Sequence, residues 1–271
     1  MEKQNIVWLA SYPRSGNSWV RFLLGAYALG EAPEWSVHND SSLDIHIIQG
    51  KASAAGKAQA EELQDIERRF DRLPTSIYRV RGICLKTHFL WSNSHPWRDH
   101  THKVIYILRH PKDVLLSCYN YLVTIQKENR SEMVAAEEFI AHGGEPRWTA
   151  EFGSWFEHYE SWNKNPEHPT LLLRYEDLKL NTLTELERLL RFLELPYDGD
   201  RARRAIEATS ISSLRSLEEE NRKRKNLTQF KHGHYLINKG KSNQSLQSIG
   251  PTMDQAFHNA FAWQLAQTGY L

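Results

Sequence analysis

The stretch Ile6-Val7-Trp8-Leu9-Ala10-Ser11-Tyr12-Pro13-Arg14-Ser15-Gly16-Asn17-Ser18-Trp19 constrains this chain more than any other. Ile6 to Ala10 form a short apolar run of the kind that makes a buried strand. Pro13 and Gly16 punctuate a tight polar turn. Trp19, Phe22, Leu23 and Tyr27 then recur at helical spacing, so a helix starts near Asn17. A strand that feeds a small-residue loop into a helix start can hold an anion. The first N–H groups of a helix have no internal partner, and the macrodipole adds partial positive charge there. Arg14 adds a full charge, and Ser15, Asn17 and Ser18 add hydrogen-bonding groups. The same residues also suit an ordinary strand-to-helix turn with a solvated arginine. The common nucleotide loop, Gly-x-x-x-x-Gly-Lys-Ser/Thr, is absent.

Three further apolar runs end in polar groups. Residues 82–88, Gly-Ile-Cys-Leu-Lys-Thr-His, read as a second buried strand. Ligands of a doubly wound sheet sit outside the carboxyl ends of its strands. That places Lys86 and His88 beside Arg14, on the same side of an extended chain. A histidine near its ordinary pKa of about 6.5 can take a proton from an alcohol, although a lone histidine at a strand end is more often structural. Residues 103–108, Lys-Val-Ile-Tyr-Ile-Leu, are nearly all β-formers. Arg109-His110-Pro111-Lys112-Asp113 follows, with Pro111 suited to a first helical turn and Asp113 to its positive end. Arg109 suits a salt bridge at a strand end, and Ser117 lies eight positions further on. Residues 170–178 read as a fourth buried strand running into a polar end.

Elsewhere the pattern is mainly helical. Helices are expected over 58–70, 131–142, 152–163, 183–193, 200–208 and 252–267, the last capped by Gly269. Gly143-Gly144-Glu145-Pro146 breaks the second from the third. Trp155, Tyr159 and Trp162 share one helical face and suit a core, whereas Trp148 and Phe152 suit contact with a small-molecule ligand. The charge run 218–225 reads as a solvated surface, and about 221–251 as a mobile segment. Residues 30–55 form a loop-rich stretch that suits a surface excursion or a substrate mouth.

The bulk numbers suit one domain over 1–271, 40% hydrophobic and 25% charged. A net charge of +1 argues against a nucleic-acid partner. Cys84 and Cys118 lie in apolar runs and read as free thiols in a reducing compartment. The N-terminal apolar run is too short for a signal peptide, and none is long enough to span a bilayer. A cytoplasmic location is expected, and a homodimer is compatible with the chain. His38 and His46 lack partners at metal-ligand spacing, and His232-x-His234 lacks acidic or cysteine partners, so no metal is expected.

Tyr-Pro-Arg-Ser-Gly-Asn-Ser-Trp resembles the 5′-phosphosulfate loop, Tyr-Pro-Lys-Ser-Gly-Thr-Thr-Trp, of sulfotransferases that use 3′-phosphoadenosine 5′-phosphosulfate, PAPS. Lys86-Thr87-His88 resembles that family's segment with the base histidine and a supporting lysine. Arg109-His110-Pro111-Lys112-Asp113 with Ser117 is similar to its 3′-phosphate site, Arg-Asn-Pro-Lys-Asp with serine. Tyr175-Glu176-Asp177 resembles its adenine-contacting tyrosine segment. Thr209-Ser210-Ile211 resembles a Thr-Ser-Phe segment of the adenine pocket, with Ile211 in place of the aromatic and Trp19 supplying the other face. Of the family's late Arg-Lys-Gly-x-x-Gly loop only Asn238-Lys239-Gly240-Lys241 remains.

The resemblance implies an α/β single-domain fold, a parallel sheet flanked by helices like that of P-loop NTPases. It implies His88, Lys86, Arg14 and Ser117 as the catalytic set. Donor binding would fall to Arg14, Ser15, Gly16, Asn17, Ser18, Trp19, Arg109, Ser117, Tyr175, Thr209, Ser210, Lys239 and Gly240. The implied reaction moves a sulfuryl group from PAPS to a hydroxyl of a small acceptor, without a metal. The Ser-Tyr-Pro-x-x-Gly-Asn-Ser/Thr-Trp form is similar to bacterial enzymes that tailor secondary metabolites. Two other readings stay open: a phosphoryl-transfer enzyme, and a catalytically silent nucleotide-binding module.

Overall fold

The computed structural model describes residues 6–30, 83–93, 95, 98–164, 167–224, 235, 237 and 240–271. The expected loop after the first helix, the helix over 58–70, His38, His46, His232, His234, Asn238 and Lys239 lie outside these residues.

Four described strands form one parallel sheet: β1 (Ile6–Ser11), β2 (Ile83–Thr87), β3 (Thr101–Leu108) and β4 (Thr170–Arg174), in the order β2-β1-β3-β4. All carboxyl ends therefore lie along one edge. Helix α1 (Asn17–Leu29) follows β1, and α2 (Pro111–Thr124) follows β3. Then come α3 (Glu132–His142), α4 (Pro146–Phe152) and α5 (Trp155–Asn163). After β4 the chain forms α6 (Tyr175–Leu180), α7 (Thr182–Phe192), α8 (Gly199–Ala208), α9 (Ile211–Arg224) and α10 (Met253–Thr268).

β1 is buried along its whole length, because helices cover both faces of the sheet. Its side chains alternate between two cores. Ile6, Trp8 and Ala10 join Tyr106, Phe139, Trp155, Phe257 and Phe261 on one side. Val7 and Leu9 join Val20, Leu23, Ile105, Ile107 and Leu189 on the other. The strand pattern fits this: a central parallel strand must be apolar at every position, not at alternate ones. No described helix is long and apolar enough to cross a membrane. Cys84 and Cys118 are both free thiols, as expected.

Three sequence expectations are corrected. The fourth strand stops at Arg174, and Tyr175 to Leu180 turn at once into α6; Glu176 and Asp177 sit in its first turn, where the helix dipole favours acids. Phe152 ends a separate helix, α4, rather than opening the next one. Gly153 at φ +70° terminates α4, and a Ser154–Glu157 capping box starts α5. The charge run from Glu218 belongs to α9, and Glu218 is buried: it accepts from the Ile237 amide at 3.1 Å and pairs with Arg222.

Candidate active site

Each strand hands the chain to a candidate site residue just past its carboxyl end. Arg14 follows β1, His88 follows β2, Arg109 follows β3 and Tyr175 follows β4. The parallel register thus brings together residues far apart in the sequence.

The loop after β1 is shaped by two left-handed residues. Gly16 caps α1 at φ +106°, and Arg14 sits at φ +68°. The second is a conformation that L-residues avoid, at a cost of about 1–3 kcal/mol. The Tyr175 ring lies against Gly16 so closely that a Cβ there would meet Tyr175 Cδ2 at 2.6 Å. The first turn of α1 carries no acidic residue, so its unpartnered amides keep their positive end. Arg14 Nε donates to Ser117 Oγ at 3.2 Å, and its guanidinium stands 4.8 Å from the Tyr121 ring. Burial lowers the Arg14 pKa, as desolvation disfavours the charged form.

Arg109 joins this group from β3. It is 6% exposed and donates from Nη1 to the Arg14 carbonyl at 3.0 Å and from Nη2 to the Lys241 carbonyl at 2.8 Å. Its guanidinium stacks 4.3 Å over the Tyr175 ring, whose other neighbour is the edge of Trp19 at 5.6 Å. Ser15 Oγ and Arg109 Nε are buried with no hydrogen-bond partner among the described residues. A native interior seldom leaves such groups unsatisfied, and here the two come from neighbouring strand ends that form a cationic cluster able to receive an anion.

His88 faces the same edge. Its Nδ1 lies 2.6 Å from the Ser11 carbonyl. A carbonyl only accepts, so Nδ1 carries the proton and the lone pair of the neutral ring lies on Nε2. Lys86 stands beside Leu9 in the β2–β1 register. Phe152 at the end of α4 approaches the His88 ring at 6.1 Å and Phe89 at 5.6 Å, and Trp148 lies 6.3 Å from Tyr121.

The other candidates divide. Ser117 meets Arg14, not Arg109, across the site. Asn17 turns inward, donating to the Leu9 carbonyl at 3.1 Å and to Ser11 Oγ at 3.3 Å. Ser18 is half-buried in the first turn of α1. Thr209 Oγ1 donates back to the Ala205 carbonyl at 2.8 Å, and Ser210 Oγ accepts from the Ser213 amide at 3.2 Å. Both hydroxyls therefore serve helix ends in this arrangement. Gly240, at φ +55°, lies against Ile211 and 3.6 Å from Tyr175 Oη by its would-be Cβ. The late loop is thus at the site.

Sequence reasoning missed how that loop is tied down. Buried Asp113 accepts from the Asn243 amide at 2.9 Å, the Gln244 amide at 3.2 Å and Gln244 Nε2 at 3.0 Å. Asp254 accepts from the Leu246 amide at 3.1 Å and pairs with Lys112 at 3.1 Å. Asp113 had a local signal at the start of α2, but none for a partner 130 residues away. Tyr12 was missed as well: its hydroxyl accepts from the Glu145 amide at 2.9 Å, which fastens the end of β1 to the start of α4.

A buried and a half-buried histidine make stability depend on pH. Burial pushes His158 down to about 3 and His110 down to about 4. Both are neutral in the folded chain and ionise in the unfolded chain below the ordinary 6.5. The unfolded state then binds more protons as pH falls from about 6.5 towards about 4, so stability drops through that window. The urea midpoint is expected to be lower at about pH 5 than at about pH 7.5. The difference is expected to shrink in His110→Asn, which keeps an acceptor for the Lys112 amide.

A parallel sheet whose first strand runs through an anion-receiving loop into a helix defines a P-loop-like α/β protein. A family model described as a sulfotransferase domain matches residues 4–269, and the chain belongs to the sulfotransferase family. It is 26% identical over 210 residues to Sulfotransferase 1B1 of Canis lupus familiaris, covering 76% of this chain. It is 31% identical over 160 residues to Cytosolic sulfotransferase 15 of Arabidopsis thaliana, covering 55% of this chain. The matches span 65% and 43% of the lengths of those relatives. Among solved structures, retinol dehydratase in complex with androsterone and inactive cofactor PAP aligns with a TM-score of 0.65 at 19% identity, over 96% of this chain and 80% of that one. Mouse sulfotransferase SULT7A1 complexed with PAP aligns at 0.63 and 17%, over 98% and 86%. At these identities the structural likeness shows the fold.

Proposed function

We propose that this chain transfers a sulfuryl group from PAPS to a hydroxyl of a small or natural-product acceptor, with His88 as general base. The observation that carries this reading is the hydrogen bond at His88 Nδ1, which leaves the lone pair of a neutral ring on Nε2. The ring is held through Nδ1 by the Ser11 carbonyl, on the strand that feeds the Arg14–Arg109 cradle. A base and an anion site thus share one sheet edge.

The residues fit the donor. Among the described residues, buried Ser15 Oγ and Arg109 Nε have no hydrogen-bond partner, and Gly16 packs directly against the Tyr175 ring. Arg14, Ser15, Gly16, Asn17, Ser18 and the α1 amides would hold the 5′ side. Arg109, with Ser117, would hold the 3′-phosphate, and Trp19 and Tyr175 would flank the base, with Thr209, Ser210, Lys239 and Gly240 around it. When bound, PAPS supplies the sulfuryl group: its sulfur–oxygen bond to phosphate breaks as a sulfur–oxygen bond to the acceptor forms. His88 Nε2 takes the acceptor's hydroxyl proton. Arg14 and Lys86 face the charge that develops on the transferring oxygens and the departing phosphate, a preorganised electrostatic effect. Phe89, Phe152 and Trp148 give the acceptor side an apolar wall. A cytoplasmic, metabolite-tailoring role completes the reading.

Calorimetry with adenosine 3′,5′-bisphosphate, against ATP plus magnesium, tests it. The bisphosphate is expected to bind at least about tenfold more tightly, a difference of about 1.4 kcal/mol. Tighter binding of ATP plus magnesium would overturn the donor and favour phosphoryl transfer. Sulfated product from a hydroxyl acceptor would exclude a silent module.

A further inference from the structure

The segment after β2 runs without regular secondary structure from His88 to Trp91. Its backbone groups cannot be satisfied by a ladder, yet they are not left to water. Consecutive carbonyls are taken by one face of α5. His158 Nε2 lies 2.9 Å from the His88 carbonyl, and Trp162 Nε1 donates to the Phe89 carbonyl at 2.9 Å. Ser161 Oγ accepts from the Trp91 amide at 3.1 Å. Residues four apart on a helix lie one above the other, so His158 and Trp162 match the spacing of the two carbonyls.

His158 is also held from behind. Its Nδ1 lies 2.9 Å from Tyr106 Oη on β3. The His88 carbonyl only accepts, so Nε2 is the N–H of His158. A neutral imidazole has one N–H, so Nδ1 must accept from the Tyr106 hydroxyl. The ring is fully buried and neutral over the working range, since burial depresses its ionisation to about 3. Its tautomer and orientation are therefore fixed by partners on both sides. The result is one line of hydrogen bonds, from Tyr106 through His158 to the main chain of His88.

We infer that His158, backed by Tyr106, is a positioning residue for His88: it fixes the peptide that carries the base, so that Nδ1 stays on the Ser11 carbonyl and Nε2 stays aimed at the acceptor. This rests on the reading of His88 as base. His158 does not touch the reacting atoms. Its effect runs through geometry, and a displacement of about 1 Å in a reacting group can cost about a hundredfold in rate.

The test uses His158→Leu, His158→Gln and Tyr106→Phe, with His88→Ala as reference. For each variant, kcat, KM for PAPS and the dissociation constant of adenosine 3′,5′-bisphosphate are measured. Nitrogen-15 NMR of the imidazoles reports the tautomer of His88. His158→Leu is expected to lower kcat by about 10- to 100-fold, with bisphosphate affinity within about twofold of the parent. His88 is expected to change from the Nδ1–H form to a mixture. His158→Gln, whose amide can donate to the same carbonyl, is expected to restore kcat to within about fivefold. Tyr106→Phe keeps the ring volume and removes one donor, so a smaller loss of about three- to tenfold is expected; it carries the test if the leucine variant does not fold. Unchanged kcat and tautomer in the folded variants, beside an inactive His88→Ala, would overturn the positioning role and leave the base intact. Normal turnover in His88→Ala would instead remove the base, and with it this inference.

Discussion

His88→Ala is expected to lower kcat by roughly 10²- to 10⁴-fold while the affinity for adenosine 3′,5′-bisphosphate stays within about twofold. The split follows from where the contacts lie. The proposed base is the imidazole, whose Nδ1 is held by the Ser11 carbonyl at 2.6 Å. Removing the ring removes the imidazole that the proposed mechanism uses as proton acceptor. The donor cradle belongs to other segments. Arg14 bonds Ser117 and Arg109 bonds the Arg14 and Lys241 carbonyls, and none of these bonds uses the His88 ring. The His88 carbonyl, which His158 holds, survives the substitution. Single-turnover kinetics together with calorimetry separate the two effects. An affinity loss that matches the rate loss would place His88 in donor binding instead.

Arg109→Ala is expected to weaken bisphosphate binding by roughly 10- to 150-fold, as a charged hydrogen bond contributes about 1.5–3 kcal/mol. Adenosine 5′-phosphate, which lacks the 3′-phosphate, is expected to lose no more than about threefold. The reason is that Arg109 reaches the site with Nη1 and Nη2 already committed to two carbonyls, and Nε buried with no partner among the described residues. The guanidinium is fixed before any ligand arrives, also by the Tyr175 ring at 4.3 Å. A preorganised charge of this kind selects for a phosphate in one place. Equal losses for the two nucleotides would show that Arg109 supports the loop as a whole rather than the 3′ group. Circular dichroism of the variant provides the check on folding.

The central strands were legible because a parallel sheet covered on both faces needs unbroken apolar runs, and β1 and β3 have them. The helix starts at Asn17 and Pro111 were legible from local chemistry: a glycine turn in one case, a proline and an acid in the other. What stayed hidden was set by distance along the chain. Nothing near Tyr12 announces Glu145, and nothing near Asp113 announces Asn243. Nothing in the sequence set His158 apart on its aromatic helix, since a core histidine and one that holds a peptide look alike in sequence. Thr209 and Ser210 show the reverse problem. Short hydroxyl residues at a helix junction suit a ligand or a helix end equally well, and their hydrogen bonds run to α8 and α9. The end of β4 was misjudged for a related reason: the tyrosine that continues an extended run can as well begin a helix.

The break at Gly153 has a practical meaning for anyone who wants to change what this protein accepts. Trp148 and Phe152 lie on the short helix before it, while His158, Ser161 and Trp162 lie on the helix after it. The glycine divides the proposed acceptor wall from the residues that hold the main chain of the proposed base, His88. Libraries confined to Trp148 on the first helix are expected to alter the proposed acceptor wall while the hydrogen bonds of His158 and Trp162 stay in place.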